Sequence, residues 1–74
     1  MTHSLPRLEL FAERALVDRP EDRALALRLV EERLAAERVI SRHDPQTLAI
    51  VASLARLRLR LRRSLGLPPG FELT

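Results

Sequence analysis

Cysteine, tryptophan, tyrosine and lysine are absent from the sequence, and glycine occurs only twice in its 74 residues. Without cysteine the chain can form neither a disulfide nor a thiolate metal site. No apolar stretch approaches the roughly 20 residues that a membrane-spanning helix needs, and no signal peptide is recognisable. Membrane-surface helices often carry aromatic residues at the boundary, which are scarce here. We therefore expect a cytoplasmic protein that does not bind a membrane.

Leucine and alanine dominate the apolar residues, whereas β-branched residues are few. This composition favours helices, and the scarcity of turn residues disfavours a sheet. A hydrophobic fraction of 46% makes the chain too apolar for disorder. Because so short a chain has room for one small core, we expect a single all-α domain over residues 1–74.

Local signals mark the ends of three helices. Pro6, Pro20 and Pro45 each stand just before a periodic apolar stretch, and proline is tolerated at the first helical position. Gly66, followed by prolines, is a typical C-terminal cap. The pattern predicts helices near residues 6–17, 20–42 and 45–65, followed by an apolar tail, 66–74.

The connection between the second and third helices is very short. Only Arg42, His43 and Asp44 separate them, so we expect a long antiparallel hairpin in which His43 is a turn residue. One apolar stripe of each helix is expected to line the hairpin seam: Leu25, Leu29, Ala36 and Ile40 on the second helix, and Ile50, Leu54, Leu57, Leu61 and Leu65 on the third.

Each long helix also carries a second apolar stripe. Its members are Leu27, Val30 and Leu34 on the second helix, and Leu48, Val51, Ala55 and Leu59 on the third. The short first helix covers about half of this surface, and soluble monomers rarely leave so much apolar area open. We therefore expect these residues to form the interface of a dimeric helical bundle. The alternative is a monomeric three-helix bundle in which the first helix covers both stripes.

The sequence offers few groups for chemistry. Its two histidines, His3 and His43, lack the spacing to carboxylates found in helical metal sites, and its two glycines cannot build a phosphate-binding loop. We therefore expect no enzyme activity, no bound metal and no cofactor. The favoured function is a helical module that homo-oligomerises and binds or scaffolds a protein partner.

Positive charge is concentrated at the end of the third helix. Arg56, Arg60 and Arg63 fall on one strip of a helical wheel, and such a strip can bind phosphates of a nucleic acid. Accessory nucleic-acid binding is therefore the alternative function. The competing interpretation is ion pairing, since the expected register brings Arg62 and Arg63 close to the acidic residues around the start of the second helix: Asp18, Glu21 and Asp22.

The C-terminal tail is more apolar than a solvated terminus requires. Leu67, Phe71 and Leu73 follow or flank two adjacent prolines, which favour an extended segment. We expect these three residues to dock, either on the chain's own assembly or on a different protein.

Overall fold

The computed structural model describes residues 5–39 and 45–68, and within those ranges it contains three α-helices and no strand. The helices are α1 (Leu5–Val17), α2 (Arg23–Val39) and α3 (Pro45–Ser64), and each packs against the other two. A short 3₁₀ helix, Pro20–Asp22, precedes α2. The all-α class expected from composition is confirmed.

The start of the second helix differs from the prediction. Residues 20–22 were expected to belong to the α-helix, but they form a 3₁₀ turn. The N–H of Asp22 donates to the carbonyl of Arg19 over 2.9 Å, which is the tighter i to i+3 closure. The α-helical ladder therefore begins only at Arg23. The expected turn residue His43 lies outside the described residues, as does the Ile40 end of the predicted seam.

Gly66 ends α3 in the left-handed conformation, with a φ of 74°. The N–H of Gly66 donates to the carbonyl of Arg63 over 3.1 Å, and the N–H of Leu67 donates to that of Arg62 over 2.8 Å. This pair of bonds is the Schellman motif, which satisfies carbonyls that the helix leaves free. The glycine in the sequence therefore sets the end of α3.

The side chain of Arg23 joins the end of α1 to the start of α2. Its Nε donates to the carbonyl of Ala15 over 2.8 Å, and its Nη2 donates to that of Leu16 over 2.7 Å. Carbonyls at a helix C-terminus carry partial negative charge and attract cations. Arg23 thus ties the start of α2 to the end of α1.

The core lies between the three helices and contains side chains from each of them. Its largest fully buried side chains are Leu54, Leu61 and Val30. The buried set consists of Leu8, Ala12 and Ala15 on α1, Ala26, Leu27, Val30 and Leu34 on α2, and Leu54, Leu57 and Leu61 on α3. On α3, then, Leu54, Leu57 and Leu61 of the expected seam are buried and Ile50 is partly buried, whereas Leu65 is 37% exposed.

On α2 the buried stripe is the opposite of the one expected. Leu27, Val30 and Leu34 were assigned to an open interface, but all three are buried in the core. Leu25, assigned to the seam, is 49% exposed, and Ala36 is exposed as well. The prediction of which α2 face is buried was therefore wrong.

The physical reason is that α2 has two neighbours rather than one. Leu25 and Leu29 border a groove against α1, whereas Glu31, one turn from Leu27 and Leu34, pairs with arginines of α3. The direction midway between the two neighbours points into the core. A residue such as Val30, which lies in that direction, is buried most completely.

The burial pattern predicts unequal costs for the same substitution at two leucines. Leu54→Ala empties a fully buried site and should lower the free energy of unfolding by about 2–5 kcal/mol. Leu10→Ala, at a site 56% exposed on α1, should cost less than about 1 kcal/mol. Urea unfolding followed by far-ultraviolet circular dichroism measures both, and equal costs would contradict the assigned core.

Candidate interaction surface

The side of α3 that faces away from the core is apolar. It consists of Leu48, Ala52, Ala55 and Leu59, which we call the outer face. Their spacing of four, three and four residues places them on one side of a helix. Leu48 is 54% exposed, both alanines are exposed and Leu59 is half-buried. A helix side directed at solvent is normally polar, so this face is a candidate contact surface.

Four of the seven residues assigned to the oligomer interface lie on α3. Leu48, Ala55 and Leu59 belong to the outer face, and Val51 lies at its edge, where it is half-buried against the core. The three α2 members of the predicted interface are core residues and are not part of this surface. The candidate surface is therefore narrower than expected and belongs to a single helix.

One flank of the outer face is held by an ion-pair cluster. Glu31 on α2 lies 3.2 Å from Nε of Arg58 and 2.9 Å from Nη1 of Arg62. Nε of Arg62 also donates to the carbonyl of Pro68 over 2.6 Å. Both guanidinium groups therefore turn toward α2, which leaves the outer face itself without charge.

The acid that pairs with Arg62 is not one of those expected. Sequence register placed Arg62 near the start of the second helix, but Glu21 and Asp22 instead lie 3.7 and 3.2 Å from Nε of Arg19. Arg19 is two residues from Glu21 and three from Asp22, so these carboxylates meet a cation close by in the chain. Arg63 is exposed and makes no ion pair with any described residue.

The predicted phosphate-binding strip borders a cleft between α1 and α3. The cleft measures about 380 Å³ and is lined by Glu9, Leu10, Glu13, Ser53, Arg56, Leu57 and Arg60. Nη1 of Arg60 donates to Glu13 over 2.9 Å, and the Ser53 hydroxyl donates to Glu9 over 2.7 Å. One of the three arginines thus has a carboxylate partner, and a second carboxylate, Glu9, lies in the same cleft as Arg56. Binding of phosphates by Arg56, Arg60 and Arg63 stays a prediction, and the negative charge in the cleft weakens it.

Sequence reasoning missed the two acids of this cleft, although a signal for them exists. Glu9 and Glu13 are four residues apart, as are Arg56 and Arg60. Residues four apart share a helix face, so the two pairs form complementary strips on different helices. Pairing them requires knowledge that α1 packs beside α3, which no local pattern supplies.

A second groove lies between α1 and α2. It measures about 270 Å³ and is lined mainly by apolar side chains: Arg7, Leu8, Phe11, Leu25 and Leu29. Of the three residues expected to dock from the tail, Leu67 is exposed. Phe71 and Leu73 lie outside the described residues, so their docking stays a prediction.

The described part of the chain was compared with the requirements of a metal site and of a membrane-spanning helix. Within residues 5–39 and 45–68 no group of three metal-binding side chains comes together, and no polar side chain is fully buried. None of the described helices has the length and hydropathy that crossing a membrane would require.

Comparison with protein-family models, curated proteins and solved structures finds no match.

The ion-pair cluster predicts a difference between two neighbouring glutamates. Glu31→Gln removes one carboxylate shared by two partly buried arginines and should lower the free energy of unfolding by about 1 kcal/mol. Glu32→Gln breaks an exposed pair with Arg28 at 3.4 Å and should cost about 0.3 kcal/mol. Urea unfolding at low salt compares the two variants, and an equal cost would show that the cluster contributes no more than a surface pair.

The cleft predicts how affinity for duplex DNA responds to charge. Replacing both Glu9 and Glu13 with Gln frees Arg60 and removes the negative charge that shares the cleft with Arg56, so DNA binding at about 50 mM salt should tighten and then fall steeply toward about 200 mM. The control replaces Glu21 and Glu32, which are exposed and remote from the cleft, and changes net charge equally. Fluorescence anisotropy with a labelled duplex measures both, and equal affinities would show that only net charge matters.

Proposed function

We propose that this chain is a non-enzymatic helical interaction module of the cytoplasm, which self-associates through the outer face of α3 and holds or scaffolds a protein partner. The observation that carries the proposal is the apolar character of that face. Its leucines and alanines lie in water on the side of α3 where charged residues are expected. Association with another helix would remove them from water.

The proposal includes the antiparallel arrangement of α2 and α3. Two hydrogen bonds join α1 to α3: Ser53 with Glu9, and Arg60 with Glu13. The later residue of α1 pairs with the later residue of α3, which indicates that these two helices run in the same direction. Residues 18–22 connect α1 to α2, and Arg23 at the start of α2 reaches back to carbonyls at the end of α1, as a reversal of the chain requires. These contacts support an antiparallel hairpin, in which the outer face of α3 lies on the side away from α1 and α2.

The surroundings of the outer face also support a contact role. Arg58 and Arg62 are drawn to one side by Glu31, and Arg60 is drawn to the other side by Glu13. A partner that covers the face therefore does not have to bury these cations without their acids, which would cost several kcal/mol. Charge at the edge and apolar residues at the centre are the usual composition of a protein interface.

Binding of nucleic acid receives less support. The strip assigned to phosphates has Glu13 on Arg60 and a second carboxylate, Glu9, in the same cleft. Phosphate groups would have to compete with these fixed carboxylates for the guanidinium groups. Self-association through an uncharged face meets no such competitor.

Self-association is tested by the solution mass. Light scattering after size exclusion, with refractive-index detection because tryptophan and tyrosine are absent, should give a mass above one chain. One helix face buries less than the roughly 800 Å² per partner of a standard interface, so the mass should rise with protein concentration. Leu48→Glu and Ala55→Glu place a charge on the outer face and should return the mass to one chain.

The control is Val17→Glu, at a site that is 73% exposed on α1 and remote from the outer face. This variant should keep the mass of the unaltered chain. Circular dichroism checks that all three variants remain helical, as expected for exposed sites. A mass of one chain for the unaltered protein at every concentration would contradict the proposal, as would an equal effect of the control.

A further inference from the structure

We infer that the partner on the outer face is a second copy of this chain whose α3 runs in the opposite direction, with Leu48 of each copy against Leu59 of the other and Ala52 against Ala55. This inference rests on the proposed self-association and specifies its geometry. Two features carry it: the distribution of charge along α3 and the symmetry of the residue spacing.

Charge is divided sharply between the two halves of α3. Residues 45–55 carry no charged side chain, whereas all five arginines of the helix lie in residues 56–64. Parallel pairing would place the two basic halves side by side, and like charges at such distances repel. Antiparallel pairing places each basic half beside the uncharged half of the other copy. It also opposes the two helix dipoles, which is the favourable arrangement.

The arginines that border the outer face make this repulsion effective. Arg58, Arg60 and Arg62 each have a carboxylate partner on α1 or α2. Arg56 and Arg63 are exposed, lie beside the outer face and make no hydrogen bond or ion pair with any described residue. In a parallel pair each of these cations lies at the same height along the helix as its copy, on the opposite flank of the contact. In the antiparallel pair Arg56 lies at the height of Val51 of the other copy, and the two copies of Arg63 lie at opposite ends of the contact.

The spacing of the outer face allows the antiparallel pair without any mismatch. The intervals of four, three and four residues are the same when read from either end. A two-fold axis between residues 53 and 54 therefore superimposes the face on itself, with leucines meeting at both ends. The alanines at the centre have small side chains, which let the two helix backbones approach closely.

The two directions predict very different separations for Leu48. At 1.5 Å per residue, Leu48 and Leu59 lie about 16 Å apart along α3. In the antiparallel pair the two copies of Leu48 are separated by about that distance, and each contacts Leu59 of the other copy. In a parallel pair the two copies of Leu48 are in contact. A disulfide requires Cα atoms within about 7 Å and therefore distinguishes the two.

The experiment uses single-cysteine variants of the full chain, which has no native cysteine. Leu48→Cys and Leu59→Cys, one of them carrying a tag that changes its mass, are oxidised separately and after mixing, and the products are weighed by mass spectrometry. We expect a disulfide between the two different variants and at least tenfold less of either single-variant dimer. Val17→Cys, exposed on α1, measures the background from random collisions.

The possible failures are distinguishable. Efficient dimers of Leu48→Cys alone would show parallel pairing and overturn the inference while leaving self-association intact. No cross-link above background, in a protein whose mass is that of two chains, would show that another surface associates. A mass of one chain would remove the proposed function itself. If Leu59→Cys loses its helical signal, Leu48→Cys still decides the direction, because only parallel pairing brings the two copies of residue 48 close enough to form a disulfide.

Discussion

The close packing of α1 on the other two helices is the constraint on which the rest of this structure depends. It is possible because Ala12 and Ala15 on α1 and Ala26 on α2 are completely buried and small, so that the backbones approach closely. Once α1 occupies this position, α2 must bury the residues between its two neighbours. The rotation of α2, the exposure of Leu25 and the burial of Val30 all follow from it.

The same packing determines where the arginines of α3 find their partners. With α1 on one side and α2 on the other, each neighbour supplies a carboxylate to the basic end of α3: Glu13 to Arg60, and Glu31 to Arg58 and Arg62. These pairs hold three of the five arginines of α3 at the sides of the helix. The outer face itself carries no charge because its four positions are occupied by leucine and alanine.

Local signals were sufficient to predict the helices but not the faces that they bury. Pro45 and Gly66 act through their own backbone geometry, so they mark the bounds of α3 without reference to the rest of the chain. On α2, by contrast, Leu25, Ala26, Leu27, Leu29 and Val30 surround most of the helix axis, so no single face is clearly apolar. The position of α1 must be known before one can say which of these α2 residues are buried. The acids of the α1–α3 cleft depend on the same tertiary information.

Because the chain is short, the outer face bears on the stability of the fold as well as on binding. In the described part of the chain three of the ten buried residues are alanines, which contribute little apolar area to the core. A domain of this length buries a smaller fraction of its surface than a larger domain does, and association commonly supplements such a core. A partner that binds only the folded chain stabilises it by mass action. Under the proposed self-association, the open leucines of α3 would therefore add stability to the folded chain as well as a contact surface.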